Sequence, residues 1–153
     1  MDRGSLLEEL ARLVQVHLGP LGQHDRDVSR IAHILELLVA LWEEWRPDAV
    51  FQPSLHDIHQ DHQVIAAEGM RAFKRTTILG YEIPWNNFEF SYGAYLALEP
   101  RHLERKIAAL ERYASQQHRR YANPEYIRNL AKVHGANVNR ELAEVFQVYR
   151  IVA

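Results

Sequence analysis

Ile31, Ile34, Leu35, Leu38, Leu41, Trp42 and Trp45 recur at intervals of three and four residues, with Glu43, Glu44 and Arg46 off the stripe. That pattern predicts a long core-facing helix, which Pro47 ends. The chain then changes period: Asp48-Ala49-Val50-Phe51-Gln52 reads as a short buried strand closed by Pro53-Ser54. A second helix is predicted from about His62, with Val64, Ala67, Met70 and Phe73 on one face, and Thr76 to Tyr81 follows as a strand rich in β-branched and apolar residues. Helix and strand alternating in this way is the pattern of a parallel sheet.

The flanks are read by the same rules. Ser5 and Glu8 have capping-box spacing, and Leu6, Leu10, Leu13, Val14 and His17 carry a first helix over residues 5–18, stopped by Gly19-Pro20. Glu82 to Tyr92 is loop-like and aromatic, with Pro84, Trp85, Phe88 and Phe90; these rings are expected to pack over the core, and a sugar-facing role for Trp85 is the alternative. Ala94 to Leu98 resumes an extended pattern. Pro100 opens a helix carried by Leu103, Ile107, Leu110 and Ala114, and Asn123-Pro124 caps another that closes near Gly135. Val145 to Val152 reads as a strand, although its spacing also suits a helix. The expected fold is α/β, a Rossmann-like, mostly parallel sheet flanked by helices, in one domain over residues 1–153.

Composition narrows the function. The 153 residues are 47% hydrophobic and 25% charged, an ordinary globular balance. With 18 basic against 20 acidic residues the net charge is −2, which gives no basic surface for a nucleic acid. Cysteine is absent, so a metal would have to be held by His and carboxylate, and a reducing cytoplasm is the simplest home. No apolar run is long enough to span a bilayer, and Met1-Asp2-Arg3-Gly4-Ser5 does not open a signal peptide, so no membrane association is expected.

Candidate chemistry concentrates in His56-Asp57-Ile58-His59-Gln60-Asp61-His62. Imidazole and carboxylate are the ligands a borderline divalent metal takes, and the tract lies in a strand-to-helix loop, where α/β sheets place ligands. The plain alternative is a solvated His-rich loop. Asp57 is either a hydrogen-bond partner of an imidazole or a loop former. His17, His24, His33, His102, His118 and His134 stand singly and are read as surface or packing residues.

Taken with residues further along, this tract resembles the LmbE/PIG-L-like zinc-dependent N-deacetylases. Arg46-Pro47-Asp48-Ala49-Val50-Phe51 is similar to the strand before that family's second metal motif, and His59-Gln60-Asp61-His62 resembles its H-P-D-H motif, with Gln60 in place of proline. Tyr81-Glu82, Lys106, Ser115-Gln116, Tyr121 and Ala143-Glu144-Val145-Phe146 fall in family-like order, while His134-Gly135 departs from the usual Arg-Gly. The resemblance implies zinc as cofactor with His62 as a ligand. It implies His59 as the catalytic group facing the substrate carbonyl, as oxyanion partner or general acid, and Asp61 orienting and charge-tuning His59. The implied reaction is amide hydrolysis of an N-acetylated sugar or glycoconjugate.

One family element has no counterpart. The A-H-P-D-D-E motif, which the resemblance assigns the other metal ligands and the general base, is not found in this sequence; the nearest candidate, His24-Asp25-Arg26-Asp27, reads as a turn and helix cap. The expectation is therefore the carboxyl-terminal part of the deacetylase fold, inactive alone, whose partner is a missing amino-terminal half or, through its uncovered strand edge, a second copy. The competing readings are a non-catalytic sugar-binding or assembly module, and a small metal-binding protein using His56, His59 and His62.

Overall fold

A computed structural model describes residues 28–113 and 119–153. The expected helix over residues 5–18, the His24 to Asp27 segment, Ala114, Ser115-Gln116 and His118 lie outside the described residues. The elements run α1 (Val28–Trp45), β1 (Ala49–Pro53), α2 (Gln60–Ala72), β2 (Thr77–Tyr81), β3 (Ala94–Ala97), α3 (Pro100–Leu110), α4 (Pro124–Asn137) and β4 (Ala143–Arg150). The described residues fall into two compact units that share strand β4: residues 28–91 with 147–153, and residues 92–113 with 119–146. The strand order is β1-β2-β4-β3.

In the first unit the predicted helical stripe forms the core. Ile34, Leu37, Leu38 and Leu41 are buried on one face of α1, against Ala72, Phe73 and Ile78. Helix α1 ends as the sequence requires: Arg46 takes a left-handed φ of 46°, its N–H returns to the Trp42 carbonyl at 2.9 Å, and Pro47 forbids another turn. The Arg46 guanidinium lies 4.0 Å from the Trp42 ring centroid, and Trp42 Nε1 donates to Thr76 Oγ1 at 3.1 Å. Strands β1 and β2 pair in parallel, Ala49 opposite Thr77 through Pro53 opposite Tyr81, with α2 as their connection. Among the described residues strand β1 is the end of the sheet, which is where a strand proline is tolerated.

Three details differ from the expectation. Phe51 is half-exposed on β1 rather than buried, and among the described residues β1 has a neighbour on only one side. Ala67 is exposed: the buried small face of α2 is carried by Ala66, Gly69 and Ala72, with Val64, Ile65 and Met70 partly buried. A composition rule cannot distinguish Ala66 from Ala67 when the stripe is this weakly apolar. The aromatic loop does not cover the core either, since Phe88 is 86% and Trp85 47% exposed.

The second unit pairs β3 with the first half of β4 in antiparallel register, Ala94 opposite Phe146 through Ala97 opposite Ala143. The sheet is thus mixed, with a parallel β1–β2 pair and an antiparallel β3–β4 pair. Leu103 and Ile107 of α3 pack with Ile127 and Ala131 of α4 and with Leu142, each helix contributing an i, i+4 pair. Arg128 clasps Glu104 with two hydrogen bonds, of 3.0 and 2.8 Å, and holds that carboxyl below its usual range. Lys106 pairs with Glu144. Asn123 caps α4 by accepting from the Glu125 N–H at 2.8 Å, as its sequence signature requires. Beyond α4 the chain folds back so closely that a Cβ on Gly135 would stand 2.7 Å from the Arg140 carbonyl oxygen and 2.8 Å from that of Glu141. Those obstacles are backbone and cannot turn aside, so only glycine fits at this position. His134 is buried, the packing role of the two its sequence position allowed.

Candidate functional site

The site begins at the carboxyl end of β1. Residues 54–59 form the loop, while Gln60, Asp61 and His62 already belong to the first turn of α2, so the histidine tract straddles loop and helix. Every backbone N–H from Leu55 to His59 has a partner: Tyr149 Oη takes Leu55 at 2.7 Å and Ser54 Oγ takes His56 at 3.1 Å. The Ser54 and Asn86 carbonyls take Asp57 at 3.1 Å and Ile58 at 3.0 Å, and Asp57 Oδ1 takes His59 at 2.8 Å. Full satisfaction of this kind leaves none of these N–H groups an unpaired donor. The last of these bonds is an Asx turn, made by an aspartate onto the N–H two residues on.

Asp57 is the centre of the arrangement. Its side chain is fully buried, and while Oδ1 holds the loop, Oδ2 lies 2.7 Å from His62 Nδ1. An ionised carboxylate only accepts, so opposite it a neutral imidazole carries its proton on Nδ1 and keeps the Nε2 lone pair for a ligand. The sequence left open whether Asp57 partners an imidazole or forms the loop; it does both. His59 stands beside His62, with ring centroids 4.7 Å apart at 34°. Asp61 Oδ2 is 3.8 Å from His59 Nδ1, beyond hydrogen-bond range, so its influence on His59 is through charge. His56 is exposed, and among the described residues no three His, Asp or Glu side chains come together in a way that could hold a metal. The reading of His56, His59 and His62 as a self-contained metal site is thereby set aside.

Asp61 and His62 also line a cavity of about 330 Å³, which Tyr81 joins from the carboxyl end of β2 and which Leu38, Ile65 and Phe73 make largely apolar. Burial, and then the negative charge of Asp57, raise the Tyr81 phenol above its ordinary 10.0. A pKa raised on folding contributes stability that is complete below pH 10 and is lost as pH climbs through the higher folded value. In an alkaline absorbance titration Tyr81 should ionise late, and Tyr81→Phe should remove that component. Titration of Tyr81 at or below the ordinary value would contradict the burial of its phenol near Asp57.

Sequence reasoning missed the support for this loop. Ser54, Gln147 and Tyr149 carry no motif, and their roles arise from β4 reaching the loop 93 to 95 residues earlier in the chain. Tyr81 was legible only as a family-like residue.

No protein-family model matches the chain, and no curated protein matches it. Solved structures do. A zinc-inhibited form of teicoplanin deacetylase Orf2 aligns with a TM-score of 0.65 at 16% identity, over 84% of this chain and 55% of that one. A deacetylase–teicoplanin complex from the teicoplanin biosynthesis pathway aligns at 0.67 and 14% identity, over 84% and 54%. This chain has the fold of the teicoplanin deacetylase. It spans about half the length of those two neighbours, and 71% of a triple mutant of the deacetylase, which covers 96% of this chain at a TM-score of 0.63 and 17% identity. The deacetylase fold expected from the sequence is the fold observed. Among the described residues, no helix is long and apolar enough to cross a membrane.

Proposed function

We propose that this chain is one part of a zinc-dependent N-deacetylase acting on an N-acetylated sugar or glycoconjugate, and that it is inactive without a further segment of the fold. The observation that carries the reading is the buried Asp57 carboxylate 2.7 Å from His62 Nδ1, which presents Nε2 as a ligand atom. This is the way a metal-binding imidazole is prepared, with the other ring nitrogen tied to a carboxylate. The likeness of the fold to that of a deacetylase supports an amide-hydrolysing role for that imidazole.

The described residues fit one metal ligand and not a complete site. A catalytic zinc takes about three protein ligands, and when bound it supplies a Lewis acid and a hydroxide. This chain's share is His62 as ligand, His59 as the neighbouring imidazole that donates to the developing oxyanion or to the leaving amine, and Asp61 as the charge beside it. The remaining ligands and the general base belong to a segment like the one by which the two deacetylase structures exceed this chain. The outer edge of β1, with no strand beyond it among the described residues, is where such a segment or a second copy would pair.

Metal content tests this division. The chain purified without added metal should carry well under one zinc per molecule by elemental analysis. Stoichiometric zinc that is lost in His62→Ala and kept in His24→Ala would overturn the divided site and give this chain a metal centre of its own.

A further inference from the structure

Tyr149, Gln147 and Ser54 form a closed triangle of polar atoms under the histidine loop. Tyr149 Oη lies 2.8 Å from Gln147 Oε1 and 3.2 Å from Ser54 Oγ, and Ser54 Oγ lies 3.0 Å from Gln147 Oε1. The protons can be assigned by counting. Each hydroxyl has one hydrogen, the Gln147 carbonyl oxygen has two lone pairs, and the loop offers two N–H groups that only donate. Both hydroxyls therefore donate to Gln147 Oε1, which leaves Tyr149 Oη to accept from Leu55 N–H at 2.7 Å and Ser54 Oγ to accept from His56 N–H at 3.1 Å.

The sequence arranges for this contact from a third element. A Cβ on Gly80 would stand 2.6 Å from the Tyr149 ring, so a glycine in the middle of β2 is what lets that ring lie across the strand and reach the loop. Ser54 is itself completely buried. The two N–H groups held this way immediately precede Asp57, whose carboxyl in turn fixes His59 N–H and His62 Nδ1.

We infer that Tyr149, backed by Gln147, is a positioning residue that sets the Asp57–His62 pair through the backbone of residues 54–56. The inference rests on the reading of His62 as the functional imidazole, and it adds a residue on the last strand to a site otherwise built after the first. Tyr149 touches neither imidazole; it acts through the loop.

The test is nuclear magnetic resonance on the full chain without metal or substrate, following the His62 Nδ1 proton and the amides of Leu55 and His56. In Tyr149→Phe, which removes one hydroxyl and keeps the ring, these protons should exchange faster by on the order of tenfold, the effect of one net hydrogen bond. The Leu38 and Ile78 amides in the core should not change. Gln147→Leu, which takes away the shared acceptor, should act in the same direction, and Val148→Thr on the exposed side of the strand should be silent. Unchanged exchange at His62 Nδ1 in both Tyr149→Phe and Gln147→Leu would overturn the inference. Equal acceleration of core amides would overturn it as well, since that is the mark of general destabilisation. If Tyr149→Phe fails to fold, Gln147→Leu decides alone. Because no substrate or metal enters the experiment, its outcome is separate from whether the deacetylase reading holds.

Discussion

Replacing Asp57 by alanine is expected to destabilise the first unit by on the order of 3 kcal/mol, the combined effect of losing two hydrogen bonds from one charged acceptor. The side chain is fully buried and serves the His59 N–H and His62 Nδ1 together, so its removal unmakes the Asx turn and frees the imidazole in one step. For a chain of this size that loss corresponds to a fall in melting temperature of roughly 6–12 °C. His62→Ala removes the half-buried side of the pair and should cost less in stability, although it leaves Asp57 buried with one partner fewer. Calorimetry on the two variants separates the cases. A melting temperature for Asp57→Ala within a degree or two of the parent would mean that Asp57 does not organise the loop. In the assembled enzyme, Asp57→Ala should also weaken metal binding by about 10- to 100-fold, the usual effect of losing the partner of a ligating histidine.

What was legible in the sequence divides along a physical line. Helix α1 could be read because Ile34, Leu38 and Leu41 repeat at helical period and Pro47 admits only one ending; strands β1 and β2 could be read because they are short, apolar and bounded by turn residues. The end of α4 was legible from Gly135, and its packing reason appears only where the backbone of Arg140 and Glu141 returns against it. Local signals also located the histidine tract at the carboxyl end of a strand. They could not say which of its imidazoles is held, since that depends on Asp57 being buried and on its second oxygen reaching His62 across a turn. The exposure of Phe88 and Trp85 was misread because aromatic residues in a loop score as core whatever surrounds them. Ser54, Gln147 and Tyr149 were invisible for a different reason: hydrogen bonds between residues more than ninety positions apart leave no periodicity to detect.

On the proposed division this chain supplies His59 and His62 to a deacetylase site, and its described residues assemble no complete ligand set, so the largest effects belong to activity. A positioned oxyanion partner without a general base or a full ligand set gives no route to hydroxide at neutral pH. His62→Ala in the completed enzyme should abolish metal-dependent turnover, because the ligand atom itself is lost. His59→Ala should slow the chemical step by on the order of 10²-fold or more, the scale for removing an oxyanion donor, with little change in metal content. The direct measurement is release of acetate from an N-acetylglucosamine derivative by the chain alone and by the chain mixed with a polypeptide carrying an A-H-P-D-D-E strand. The chain alone should show no hydrolysis above background, the mixture should show zinc-dependent turnover, and His62→Ala should remove that turnover. Robust deacetylation by the unaccompanied chain that survives His62→Ala would contradict the proposed division.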